Sequence, residues 1–268
     1  MRIILAGFGT VGRSFAKLIE VRRRELIEAY GLRTKLVAVI DSKGAAICPS
    51  GLDVGELIRA KESEGTVAAH PEFGHRGAAA HRVIEEAEAD VLVEATPTNV
   101  VDGEPGMTNI ICALRSGKHV VTTNKGPLAL ALPALMELAE YNGLQLRFSG
   151  TVGGGTPILE FAKRCLLGDR IVAIRGILNG TTNYILTKMS ESGASFEEAL
   201  AEAQRLGYAE ADPSMDVDGI DAACKLVILA NWAMDMRARL SDVRVEGIRG
   251  VTRDDVEEAR RSGCELKL

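Results

Sequence analysis

Between Ala201 and Lys225 the chain reads AEAQRLGYAEADPSMDVDGIDAACK, which sets Glu210, Asp212, Asp216, Asp218 and Asp221 within twelve positions, just ahead of Lys225. Five carboxylates that close repel one another, so the segment needs a structural or chemical reason to exist. Asp212-Pro213 forces a turn, because the residue before proline is pushed out of the helical region. Asp221 and Lys225 stand at i and i+4 and project from one face of the helix that follows. On an open surface such a pair adds only ~0.3 to 0.5 kcal/mol. Here it is flanked by Ile220, Ala222, Ala223, Cys224 and the run Leu226–Leu229. A lysine partly buried among apolar groups, with carboxylates beside it, suits proton transfer.

A second lysine, Lys125, lies in Thr122-Thr123-Asn124-Lys125-Gly126-Pro127, directly after a β-type run. The carboxyl ends of parallel strands are where open α/β sheets bind ligands, so Lys125 is a site candidate by position, with an interaction inside its own loop as the alternative. Glu94-Ala95-Thr96 ends the preceding β-type run and should lie beside it.

The third cluster is Gly7-Phe8-Gly9-Thr10-Val11-Gly12. A lone G-x-G-x-x-G is weak, but this one follows a strand and opens an amphipathic helix, the setting of a dinucleotide fingerprint. Gly7 allows the tight turn, Gly9 lets a pyrophosphate approach the backbone, and Gly12 lets helix pack on strand. The free N–H groups of the helix start, around Thr10 and Val11, favour phosphate. The next strand ends at Asp41, followed by Ser42 and Lys43. Asp41 suits the ribose hydroxyls of NAD, whereas Lys43, helped by Lys61, suits the extra phosphate of NADP. Both cofactors stay open.

These groups require an alternation of strands and helices to position them. Strands are expected at Arg2–Ala6, Lys35–Ile40, Asp90–Glu94, His119–Thr123 and Gln145–Phe148, with helices over Val11–Tyr30, Val54–Glu62, Gly106–Ser116 and Pro127–Asn142. Lys43–Gly51 and Gly65–Gly77 read as loops. This is the pattern of an α/β protein, a Rossmann-type doubly wound parallel sheet, over residues 1–149. The glycine-rich stretch after Gly150 marks a boundary. Residues 150–268 read as an α+β catalytic and dimerisation domain, with strands at Arg170–Leu178, Val243–Ile248 and Glu265–Leu268. Its helices are expected at Thr181–Glu191, Ser195–Leu206, Asp218–Ala233 and Thr252–Ser262, and S-x-x-E at Ser195–Glu198 is a capping box.

Composition narrows the function classes. The 268 residues are 46% apolar, and 32 basic against 37 acidic side chains leave a net charge of −5, which argues against a nucleic-acid partner. No apolar run exceeds five residues, so no segment is expected to span a membrane. The five cysteines have no metal-ligand spacing, and no targeting segment precedes Ile3, so a cytoplasmic protein is expected.

Taken together, the residues resemble homoserine dehydrogenase. The resemblance rests on Gly207, Tyr208, Asp212-Pro213, Asp216, Gly219, Asp221 and Lys225. Supporting it are the GFGTVG turn, Glu94-Ala95-Thr96, His119–Lys125, Thr151–Pro157 and Leu178–Leu186. It implies reversible NAD(P)H-dependent reduction of L-aspartate 4-semialdehyde to L-homoserine, on the route to threonine and methionine. Lys225 would be the acid/base group, with Asp221 and Lys125 also catalytic candidates. Glu210, Asp216 and Asp221 would hold the small-molecule substrate, and Thr96, Lys125 and Gly207 would line the cofactor. A homodimer is implied as well. Some relatives bind a monovalent cation such as sodium near this turn. Val152, Gly154 and Thr156 offer carbonyls for one, but Ser149 stands where a glutamate would be. Neither an aspartokinase nor an ACT domain is expected, and the usual C-terminal return segment is expected to be lacking after Leu268. A dehydrogenase of another small amino acid and a non-catalytic NAD(P)-binding protein are the alternatives.

Overall fold

The computed structural model describes residues 1–268. A seven-stranded sheet forms from Arg2–Ala6 (β1), Lys35–Asp41 (β2), Gly44–Ile47 (β3), Gly74–Arg76 (β4), Val91–Glu94 (β5), His119–Thr122 (β6) and Leu146–Arg147 (β7), with runs of Val, Ile and Leu in β1, β2 and β5. The spatial order is β4-β3-β2-β1-β5-β6-β7. β2, β1, β5, β6 and β7 run parallel, and β3 and β4 extend the edge antiparallel. The chain moves from β1 outward to β2 and later returns to place β5 on the other side of β1. That reversal makes the carboxyl ends of β1 and β5 a topological switch point, where such sheets open a ligand crevice.

The helices of this first unit, Met1–Gly154, are Thr10–Val21 (α1), Arg23–Tyr30 (α2), Val54–Glu64 (α3), Ala80–Glu86 (α4), Gly106–Arg115 (α5) and Lys125–Tyr141 (α6). One layer of core joins Ile3, Leu5, Leu36 and Val39 of the sheet to Ala16 of α1 and Leu57 of α3. Strands buried on both faces explain why β1 and β2 read as nearly continuous apolar runs.

Four features differ from the sequence expectation. The single helix over Val11–Tyr30 is two, broken at Arg22 (φ −89, ψ 9). α2 buries none of its residues, so no core packing enforces continuation. Lys43–Gly51 and Gly65–Gly77 are not plain loops, because β3 and β4 form within them. β3 is Gly-Ala-Ala-Ile, poor in β-favouring side chains, and it exists because backbones approach closely. A Cβ on Gly44 (φ +143) would lie 2.2 Å from His75 O, and one on Gly74 would lie 2.3 Å from Ala68 O. α6 starts at Lys125, two residues earlier than expected, because the Asn124 side chain accepts from Gly126 N and caps it. It kinks at Ala131 (φ −149, ψ 27), two residues before the internal Pro133, which lacks the helical N–H. Finally, α4 carried no helix expectation.

The second unit, Gly155–Leu268, is built from Ile158–Arg164 (α7), Gly180–Ser192 (α8), Phe196–Arg205 (α9), Ser214–Val217 (α10), Ile220–Ala233 (α11) and Arg253–Arg261 (α12). Its core gathers Ile185, Leu186 and Met189 of α8, Ala199 and Ala203 of α9, Val217 of α10 and Val256 of α12. The capping box at Ser195 and Glu198 forms in both directions. The three segments read as strands, Arg170–Leu178, Val243–Ile248 and Glu265–Leu268, form no ladder. Strand-type sequence becomes a strand only with a pairing partner, and this chain supplies none for them. No helix is long and apolar enough to cross a membrane.

β2 ends in a carboxylate whose side chain is 4% exposed. Asp41 Oδ2 accepts from Lys61 Nζ at 2.7 Å and Val67 N at 2.9 Å, and Oδ1 accepts from Thr66 Oγ1 at 2.9 Å and Lys43 N at 3.0 Å. Burial on its own would raise this carboxyl, but the Lys61 ammonium and the other donors outweigh it and hold it below the ordinary carboxylate range. A depressed carboxyl stabilises the fold above its unfolded pKa, near 3.9, and that stability is lost as pH falls through the lower folded value. Asp41→Asn is therefore expected to cost about 2 kcal/mol at neutral pH and to flatten the acid limb of stability against pH. Urea unfolding from pH 7 down to pH 3 measures both.

Candidate active site

Two groups of side chains, one in each unit, have the chemistry of a site. In the first unit they gather where β1, β5 and β6 end. Ladder pairing aligns Ala6 with Glu94 and Glu94 with Thr122, so the turns that follow all leave from one edge. Gly7 (φ +94) makes the first turn in the left-handed region, where a Cβ would sit 2.3 Å from Ala95 O and 2.7 Å from Thr96 N. A Cβ on Gly12 would lie 2.0 Å from Gly7 O, so this glycine lets α1 close on the turn. Gly9 differs, because nothing in the protein lies within 4 Å of the Cβ it lacks. Its missing side chain keeps space open beside the free N–H groups at the start of α1, with Thr10 and Val11 exposed there. This open space against the first turn fits the pyrophosphate of a dinucleotide.

Across the same edge, the Thr96 hydroxyl donates to Glu94 Oε1 and Thr96 N donates to that oxygen at 2.8 Å. Lys125 occupies the first position of α6, next to the Asn124 cap. Lys43 is exposed, with its backbone N bound to Asp41. Asp41, read from the sequence as a ribose ligand, accepts from four donors inside the fold, and Lys61, expected to help Lys43 with the extra phosphate, is one of them. The sequence could not show this, because Lys61, Thr66 and Val67 reach Asp41 only through the packing of α3 and the turn after it.

In the second unit a cavity of about 590 Å³ is lined by Asn179, Thr181, Asn183, Tyr184, Asp216, Asp221 and Lys225, among others. Asp221 enters through the first turn of α11, where a carboxylate is favoured, and Lys225 follows one turn later. Lys225 Nζ lies 2.6 Å from Asp221 Oδ2, with side chains 17% and 10% exposed, and donates to Leu178 O at 2.7 Å. An ammonium has three N–H donors, so one is left for the cavity. Asp216 and Asp221 are brought together by a residue the sequence reading did not assign to the site. Asn179 Nδ2 donates to Asp216 Oδ1 at 2.6 Å and to Asp221 Oδ2 at 3.0 Å, while Asn179 Oδ1 accepts Thr182 N and caps α8. The only sequence signal was its place in Leu178-Asn179-Gly180-Thr181. Asn183 adds a buried side-chain oxygen with no hydrogen-bond partner to the residues lining the cavity.

Glu210 is exposed and does not line this cavity; its carbonyl accepts from Gln204 Nε2. Gly207 takes φ +79 just past the end of α9, a structural duty that needs no ligand. Val152 and Gly154 lie at the end of the first unit and Thr156 at the start of the second. No group of three or more His, Cys, Asp or Glu side chains gathers to hold a metal ion.

Comparison with known proteins agrees with this chemistry. Residues 157–268 match the homoserine dehydrogenase family, and residues 1–121 match the glutamate/leucine/phenylalanine/valine dehydrogenase family. A homoserine dehydrogenase from Methanocaldococcus jannaschii is 46% identical over 100% of this chain and 79% of its own length. An NAD(+)-dependent homoserine dehydrogenase from Pseudomonas canavaninivorans is 44% identical over 100% of this chain and 76% of its own. Among solved structures, a homoserine dehydrogenase from Thermoplasma acidophilum aligns with a TM-score of 0.78 at 32% identity, covering 94% of this chain and 74% of that one. The chain therefore belongs to the homoserine dehydrogenase family.

Proposed function

We propose that this protein interconverts L-aspartate 4-semialdehyde and L-homoserine with a nicotinamide cofactor. The observation that carries the proposal is Lys225, held by Asp221 and Leu178 O with one N–H left toward a polar cavity. When bound, the cofactor supplies or accepts the hydride at the substrate's carbonyl carbon. Gly7, Gly9 and Gly12, with the N–H groups of Thr10 and Val11, hold its phosphates, and Thr96 and Lys125 border its reactive end. Lys225 gives a proton to the oxygen as the aldehyde becomes an alkoxide, and takes it back in the oxidative direction. Asp221 and Asn179 fix the direction of that N–H, and Asp216 receives the substrate's ammonium. Lys225→Ala is expected to lower kcat by about 10²- to 10⁴-fold while cofactor affinity changes little. Steady-state kinetics at 340 nm and a cofactor titration test this. An active variant sinks the proton-transfer role, and a wild-type protein that turns over neither substrate sinks the dehydrogenase reading.

With Asp41 saturated, the adenosine ribose is left to Ser42 and Lys43, and this supports use of both NADP and NAD, with Lys43 pairing the extra phosphate. Lys43→Ala should raise KM for NADPH about tenfold, equal to ~1.4 kcal/mol, and leave KM for NADH near its wild-type value. Equal effects on both cofactors would exclude this role.

We further propose a homodimer in the cytoplasm. The five cysteines are free thiols, in keeping with a reducing compartment. The unpaired segment 170–178 exposes Val172 (81%) and Ile177 (47%), and a second copy would cover them. Light scattering should give twice the chain mass, and Val172→Lys should shift the protein toward monomer.

A further inference from the structure

Glu94 closes β5 with none of its surface exposed, and no cation pairs with it. Thr96 N and the Thr96 hydroxyl donate to Oε1, and Asn109 Nδ2 of α5 donates to Oε2 at 2.7 Å. Burial pushes this carboxyl above its ordinary range, against the pull of those donors. Three converging donors demand an acceptor-only group, and a glutamine would turn an N–H₂ toward one of them. A buried carboxylate kept at this desolvation cost calls for a reason.

The reason lies in what Thr96 touches. Its hydroxyl oxygen accepts from Asn124 Nδ2 at 3.2 Å, and that amide also reaches Pro97 O at 3.3 Å. Asn124 Oδ1 accepts Gly126 N at 3.1 Å and so caps the helix turn carrying Lys125. Gly126 has no room to shift, since a Cβ there would lie 2.1 Å from Asn99 O in the loop after β5. On the opposite side Gly7 closes on Ala95 and Thr96 within Cβ distances of 2.3 and 2.7 Å. Thr96 is thus clamped between the phosphate turn and the start of α6, and Glu94 is the group that holds it from beneath.

We propose that Glu94 is a positioning residue for hydride transfer: through Thr96 and Asn124, its carboxylate keeps the loop after β5 and the Lys125 end of α6 in one arrangement. The proposal rests on the dehydrogenase reading above. A displacement of about 1 Å at a hydride donor is enough to cost ~10²-fold in rate.

The test uses the full chain, wild type against Glu94→Gln and Thr96→Val, with L-homoserine carrying either hydrogen or deuterium on its hydroxyl-bearing carbon. Both variants are expected to lose roughly 30- to 100-fold in kcat and to show a larger isotope effect as hydride transfer becomes rate-limiting, and Glu94→Gln to bind cofactor within threefold of wild type. Glu94→Gln combined with Asn109→Asp should recover part of kcat, because the new amide N–H₂ then faces an acceptor. A folded Glu94→Gln with wild-type kcat and isotope effect overturns the proposal. So does a fall in kcat that only tracks the folded fraction and leaves the isotope effect unchanged. If Glu94→Gln does not fold, Thr96→Val decides by the same two readouts. A wild type without turnover overturns the dehydrogenase reading and this one with it, whereas an active wild type with unaffected variants overturns this one alone.

Discussion

A carboxylate buried at the end of a parallel strand has to be met by donors, and in the first unit that demand shapes the ligand-binding edge. Asp41 ends β2 and Glu94 ends β5, on the two sides of β1. Each takes its donors from the chain that follows and from a helix packed nearby: Lys61 of α3 for Asp41, Asn109 of α5 for Glu94. An unmet buried charge would be far costlier than the order lost by these loops, so the loops are held in place. The ends of β2 and β5 are thereby tied to α3 and α5.

The two carboxyls meet that demand differently, and their pKa directions record it. Asp41 has an ammonium within 2.7 Å and is pushed down. Glu94 has neutral donors only and is pushed up. Asp41 thereby ties β2 to α3 and to the turn after it. In the second unit a buried carboxylate is met in the same way. Asp221 serves Lys225 and Asn179 together, and the helix start beneath it favours its charge. The lysine is fixed in direction by Asp221 and Leu178 O, at the wall of the cavity.

Much of both units was legible because the signals are local. β1 and its glycine turn, the capping box at Ser195 and the i,i+4 pair of Asp221 and Lys225 each depend on spacing within a few residues, and each is found as read. What failed depended on distant partners. Gly-Ala-rich β3 looked like a loop until His75 and Ala68 came close to its backbone. Arg170–Leu178 has strand-like residues but no strand beside it in this chain. Asn179 drew no attention as a site residue, because its two acceptors, Asp216 and Asp221, lie 37 and 42 positions away.

By itself, then, the sequence determined the α/β class of the first unit, the glycine turn after β1 and the one-turn spacing of Asp221 and Lys225, because periodicity, glycine placement and helical spacing operate over a few residues. Tertiary structure alone decided which partners each carboxylate meets. Asp41 and Glu94 look equally available at the ends of their strands. Donors from α3 and α5, residues far along the chain, claim both for the fold, while Asp221 keeps its place beside Lys225 in the cavity wall. A hydrogen-bonding group can be spent only where packing brings its partners, and that is information no short stretch of chain contains.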